Sequence, residues 1–174
     1  MAEGTPHVKQ LYVVRHGQSV LNVTRSFAGR TDTPLTDEGR EQAKRAGEKV
    51  AKLDIDLIVS SPLIRALETA QIIAESSGYT KDILINEVFV EQALGSLEGK
   101  SWDDVIDEAR QTGIETDAQL AARAKTALDF LRTQPGDNIL LVSHGTFIRY
   151  LRAAVKPEGI YEELENSEII QVLP

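Results

Sequence analysis

A chain of 174 residues with 41% apolar content has the size and composition of one compact domain around a single core, and no segment is biased enough to read as a linker or repeat array. The absence of cysteine excludes disulfides, thiolate metal sites and a thiol nucleophile. A net charge of −8 excludes broad nucleic-acid binding, which rests on cationic neutralisation of phosphates, so any anion must be held by a local positive pocket.

The apolar runs are of strand length, far below the roughly 20 residues of a membrane span, and residues 1–10 lack an apolar signal core. The expectation is a soluble, cytoplasmic protein with no membrane partner, flexible over about residues 1–8. Gln10 to Val14 is a β-branched and aromatic run typical of a buried strand, and it ends in Arg15-His16-Gly17. Thr36-Asp37-Glu38 then offers an N-cap and two acids at the positive end of a helix, with Ala43, Ala46, Val50 and Leu53 at helical spacing.

Leu57 to Ser60 reads as a second strand. It is followed by Ser61-Pro62, where Ser61 is the expected cap and Pro62 the expected first residue of a helix that Gly78 stops. Residues 83–85 suggest a third strand, and residues 87–116 a small cap region. Leu120, Ala124, Leu128 and Leu131 mark another helix face before the turn Pro135-Gly136-Asp137. Asn138 to Val142 is the clearest strand and runs into Ser143-His144-Gly145. A short helix over residues 146–155 and a last strand over 168–173 complete the pattern.

Strands alternating with helices imply an α/β three-layer sandwich, a mainly parallel central sheet flanked by helices. Ligands of such sheets bind outside the carboxyl ends of the strands. Three strands deliver R-H-G, S-S-P-L-I-R and S-H-G to that edge, and two of the chain's three histidines stand there as H-G pairs. A phosphoryl group in transfer spreads charge over its oxygens and needs fixed cations and N–H donors around them. Arg15, Arg65 and His144 supply such groups, Arg65 from the first turn of its helix, so neither a metal nor a cofactor is required. A neutral imidazole held in one tautomer is a competent nucleophile toward phosphorus, and the residue pattern alone leaves His16 and His144 equally eligible.

The stretch V-V-R-H-G-Q-S-V-L-N (13–22) resembles the R-H-G signature of the histidine phosphatase superfamily, the phosphoglycerate mutase-like family. The likeness continues through G-R-T-D-T-P-L-T-D-E-G-R-E-Q-A (29–43), S-S-P-L-I-R-A-L-E-T-A (60–70), E-Q-A-L-G-S-L-E-G (91–99) and L-V-S-H-G (141–145). The resemblance implies that His16 is the phosphorylated residue. Arg15, Arg65, His144 and Asn22, with Gly17 and Gly145 of the H-G pairs, would line the phosphate pocket. Glu91, opening E-x-x-x-G-x-x-x-G with Gly95 and Gly99, would be the general acid, with Glu87 and Glu98 as neighbouring alternatives. Gln18 stands where many members carry Glu.

Arg25, Arg30 and Lys100 fall in segments that could overhang the pocket and are specificity candidates. Trp102 is expected to pack the cap against the body, and the acidic stretch from Glu158 to Glu168 to be a solvated face. The resemblance implies a small phosphorylated metabolite as substrate. A mutase needs its phosphohistidine shielded from water, and only about two dozen residues separate Glu91 from the helix near Thr116. The expectation is therefore metal-independent hydrolysis of a small phosphomonoester. The alternatives are phosphoglycerate mutase-type transfer, a protein phosphohistidine phosphatase, and a non-catalytic binding module.

Overall fold

The computed structural model describes residues 10–104 and 111–173; the expected flexible start at residues 1–8, and part of the expected cap region, lie outside them. In chain order the elements are β1 (Gln10–Arg15), α1 (Val20–Val23), α2 (Asp37–Val50), β2 (Leu57–Ser60), α3 (Ile64–Ser77), β3 (Leu84–Ile85), α4 (Asp117–Thr133), β4 (Asn138–Ser143), α5 (Gly145–Val155) and β5 (Ile169–Leu173). The strands form one sheet in the order β3-β2-β4-β1-β5. All neighbours pair in parallel except β5, which runs antiparallel along β1. The sheet is mainly parallel, as the pattern of the sequence implies.

Alternation along the central strands builds two cores. Ile139 and Leu141 of β4, with Leu11 and Val13 of β1, face α4 and α5 through Leu120, Ala124, Leu128, Leu131, Ile148 and Leu151. Leu140 and Val142, with Val14 and Ile58, face α2 and α3 through Ala46, Val50, Ala66, Ala70 and Ile73. Both strands are apolar on both sides because both faces of the sheet are covered.

The helix signals hold at most ends. Thr36 caps α2 by accepting from the Gly39 amide at 3.0 Å, and Gly78, at φ 76°, closes α3 in the left-handed conformation. The start of α3 differs from expectation. Its N-cap position is Leu63, which makes no side-chain cap, and the Ile64 amide donates instead to Asp32 Oδ1 at 2.8 Å. Pro62 precedes the helix, and Ser61 is drawn to the sheet edge, its amide donating to the Val142 carbonyl. The short helix α1, with a reciprocal Ser19–Asn22 capping box, is an addition that four residues of sequence were too few to signal. Among the described residues no helix is long and apolar enough to cross a membrane.

Candidate active site

The strand order decides what meets at the carboxyl edge. β1 and β4 are separated by most of the sequence but are neighbours in the sheet, with Arg15 opposite Ser143. The His16 amide donates to the Ser143 carbonyl at 3.0 Å, so the H-G pairs after the two strands lie side by side. The His16 and His144 ring centroids are 5.3 Å apart. Both rings are buried. β2 ends beside β4 and delivers Ser61 and then Arg65 to the same edge.

His16 is held in one tautomer. Its Nδ1 stands 2.7 Å from the Gly17 carbonyl, which can only accept, so Nδ1 carries the proton and Nε2 carries the lone pair. Arg65 Nε donates to that Nε2 at 3.2 Å. The rest of the Arg65 guanidinium is fixed by the Thr31 and Gly29 carbonyls at 3.0 and 2.7 Å. Burial, joined by the positive charges of Arg65 and Arg15, pushes the His16 ring well below its ordinary range against the opposing Gly17 carbonyl, and it is neutral at pH 7. Gly17 is therefore an orienting residue rather than the free phosphate ligand that the resemblance implies, since its own amide donates to Thr69 Oγ1 at 3.0 Å.

His144 Nε2 lies 2.8 Å from Ser61 Oγ, and Ser61 Oγ also accepts from the Leu63 amide. The serine hydroxyl and Nε2 thus share one short hydrogen bond that fixes the orientation of the His144 ring. Nδ1 is buried without a hydrogen-bond partner, and so is Arg15 Nε. Arg15 Nε, an unpartnered donor at the cavity wall beside a neutral imidazole and a buried guanidinium, describes a place prepared for an anion's oxygen. Burial, with Arg65 and His16 beside it, also drives His144 well below its ordinary range.

Glu91 enters from the loop after β3. Its Oε1 accepts from the Phe147 and Gln92 amides at 2.9 and 2.8 Å, and its Oε2 from Thr146 at 3.2 Å, which seats the carboxyl on the N-terminus of α5. Those donors favour the carboxylate, yet burial outweighs them and raises Glu91 above the usual carboxyl range. The two alternatives are placed otherwise. Glu87 is exposed, and Glu98 receives the Arg30 and Leu94 amides and the Thr31 hydroxyl, bonds that overcome the effect of burial and hold it low.

A cavity of about 340 Å³ joins these groups: Arg15, His16, Asn22, Arg65, Glu91 and Thr146 line it, together with Phe27, Leu94 and Trp102. Asn22 spends its carbonyl oxygen on the Ser19 amide at 2.9 Å, so its NH2 is the part left for a ligand. Gln18 is structural, its side-chain oxygen accepting from the Thr36 hydroxyl at 2.9 Å. None of the three cationic specificity candidates lines the cavity: Arg25 pairs with Asp103 over the Trp102 ring, Arg30 pairs with Glu115, and Lys100 is exposed. Trp102 is 45% exposed and forms cavity wall, where the sequence suggested a packing role. Among the described residues no group of three or more His, Asp or Glu is placed to hold a metal ion.

Two residues outside the motifs shape the site. Arg123 of α4 grips Glu115 through two bonds of 2.8 and 2.7 Å, donates to the Val88, Val90 and Glu91 carbonyls, and lies over the Phe147 ring. It fixes the backbone that carries Glu91. Its signal was an arginine on the buried stripe of α4, one turn beyond Leu120. Glu163, in the stretch read as a solvated face, pairs with Arg15 at 3.0 Å and lines the cavity. No local pattern marks it.

The model of the histidine phosphatase superfamily, branch 1, matches residues 11–164. A probable phosphoglycerate mutase GpmB of Enterobacter sp. is 34% identical, over 94% of this chain and 84% of that protein. The protein of that name from Salmonella choleraesuis is 36% identical, over 78% and 69%. Among solved structures, a phosphoglycerate mutase from Bacillus anthracis superposes with a TM-score of 0.86 at 25% identity, over 98% of this chain and 89% of that one. A mycobacterial glucosyl-3-phosphoglycerate phosphatase complexed with VO3 gives 0.84 at 27%, over 94% and 92%. With its family model spanning nearly the whole chain and its five motifs gathered at one sheet edge, this protein belongs to the histidine phosphatase superfamily.

Proposed function

We propose that the chain hydrolyses a small phosphomonoester without a metal ion, through a phosphohistidine at His16. The observation that carries this reading is the neutral His16 ring at the cavity wall, whose Nδ1–H is given to the Gly17 carbonyl and whose Nε2 lone pair accepts from Arg65 Nε, a bond that opens when the phosphoryl group draws Arg65 to its oxygens. Nε2 attacks phosphorus, the N–P bond forms and the ester P–O bond breaks. Arg15, Arg65, His144 Nδ1 and the Asn22 amide take the equatorial oxygens, where charge builds in the transition state. Glu91, whose protonated form burial favours, gives its proton to the departing alkoxide. Water then attacks the phosphohistidine, its proton passes to the ionised Glu91, and the N–P bond breaks to release phosphate. Metal independence rests on the cations and donors already present for the phosphoryl charge.

The test is quench-flow trapping of acid-labile phosphate with chelator present. The label is expected on His16, absent in His16→Ala. Glu91→Gln should slow alkyl phosphates by roughly 10²–10⁴-fold while sparing p-nitrophenyl phosphate, whose leaving group departs without a proton. Label on His144, or activity lost to chelator and restored by a divalent ion, would sink the mechanism. A second reading, phosphoryl transfer between hydroxyls, is favoured by the mutase name of the curated relatives. It would appear as label transfer from phosphohistidine to an acceptor alcohol in preference to water.

A further inference from the structure

The leaving-group side of the cavity has its own chemistry. Beyond the phosphoryl-binding groups the wall is Ser26, Phe27, Ala28, Gln92, Leu94 and Trp102, neutral and largely apolar. The charged exception is Glu163. Its position is close to the proton donor: Glu91 rests on the Thr146 and Phe147 amides, and the Glu163 carboxylate lies against Gly145, where any Cβ would run into it. Both carboxyls therefore sit at the first turn of α5 and line the same cavity. The carboxylate is half-exposed and its ion-pair partner among the described residues is Arg15, which holds it through Nη2 and keeps Nε for the phosphoryl group, so that its charge is shared between two anions when substrate binds. Glu163 then brings to this wall of the cavity a negative charge that Arg15 offsets only in part. The cations at the rim, Arg25 and Arg30, are already committed to Asp103 and Glu115.

Resting on the phosphatase reading for the position of the phosphoryl group, we propose that Glu163 is the specificity-determining residue of this site: it rejects phosphate esters that carry a second anionic group and selects esters of neutral or cationic, partly apolar alcohols. Such selection departs from what the mutase name of the relatives would suggest, since a phosphoglycerate carries a carboxylate near its phosphate. A single charge acting over roughly 6 Å in a half-exposed site changes affinity about 10-fold, and the change reverses sign between an anionic and a cationic ligand.

The experiment uses phosphonates, which bind but cannot be hydrolysed, so that binding is read apart from turnover. Dissociation constants for propylphosphonate, 2-carboxyethylphosphonate and 2-aminoethylphosphonate are measured by calorimetry on the wild type, Glu163→Gln and Glu163→Asp, with inorganic phosphate as reference for the shared anion site. The wild type should bind the carboxyethyl compound about 10-fold more weakly than the propyl one. Glu163→Gln should remove that penalty and weaken the aminoethyl compound relative to propyl, and Glu163→Asp should keep the wild-type order. A general tightening in Glu163→Gln, phosphate included, would reflect release of Arg15 and leave the ratios to decide. Equal ratios in wild type and Glu163→Gln would overturn the proposal. Turnover of p-nitrophenyl phosphate is followed on the same preparations: its absence would overturn the hydrolytic reading, while the phosphonate ratios would still decide the role of Glu163.

Discussion

Replacing Arg123 with methionine keeps the aliphatic stem and the contact with Phe147 but removes the guanidinium that ties α4 to the Glu91 loop. Five hydrogen-bond acceptors lose a donor: both oxygens of Glu115 and the carbonyls of Val88, Val90 and Glu91. Glu115 is only 10% exposed, so its charge is left in a poorly solvated place. Breaking such a pair costs about 3–5 kcal/mol, and the lower end applies here because Glu115 keeps the Ala93 amide and Arg30. At roughly 2–4 °C per kcal/mol for a domain of this size, the melting temperature should fall by about 6–12 °C. Denaturant unfolding of Arg123→Met, Glu115→Gln and the double variant closes a cycle, and the double variant should recover a good part of the loss.

The pH dependence of that loss has a definite sign. Burial alone would raise Glu115, but the bonds and charge of Arg123 overcome it and hold the carboxyl below its ordinary range. A depressed folded-state value gives stability that is present above the unfolded value near 4.5 and lost as pH falls through the folded value. The deficit of Arg123→Met should therefore shrink below pH 4.5. In activity assays the variant should lose alkyl phosphate turnover more than p-nitrophenyl phosphate turnover, because the displaced group is Glu91. A loss below about 1 kcal/mol with no coupling in the cycle would refute the argument, since it would mean that the pair is solvated and carries no tension between helix and loop.

Two further outcomes follow from the site's geometry. A Cβ at Gly39 would overlap the Gln18 carbonyl, so Gly39→Ala should push α2 away from the loop that orients His16; turnover should fall by at least 10-fold, with a lower melting temperature, and an unchanged enzyme would show that the loop moves freely. His16 and His144 are buried neutral with depressed folded values, so their contribution is present above the unfolded value near 6.5 and lost as pH falls below it. Glu91, raised by burial, works in the opposite sense above about 4.5. Melting temperature should drop between pH 7 and 5, the drop should be smaller in His144→Gln, and an equal drop in that variant would contradict the buried neutral ring.

Much of this architecture is written locally. The strand at 138–142, the helix with Leu120, Ala124, Leu128 and Leu131 on one face, and the stops at Gly78 and Pro135-Gly136 follow from side-chain periodicity and from backbone conformations that few residues tolerate. The R-H-G and S-H-G ends of β1 and β4, with Arg65 just inside α3, identify the ligand-binding edge because parallel strands carry their ligands there. Other features depend on partners that no local pattern names. Ser61 has the composition of a helix cap, but it lies two residues before the N-cap position, where its hydroxyl is shared between the Leu63 amide and His144 and its amide is bound to the Val142 carbonyl. Arg15 pairs with Glu163 and Arg123 with Glu115 because the sheet order and the fold of the Glu91 loop bring those charges together, the second pair in a place with little water. Sequence alone left His16 and His144 chemically equal, each an imidazole after a strand. The tertiary structure separates them by their partners: His16 Nδ1 meets a carbonyl that can only accept a proton, and His16 lines the cavity with Arg65 on its Nε2, whereas His144 lies behind it with Nε2 on the Ser61 hydroxyl.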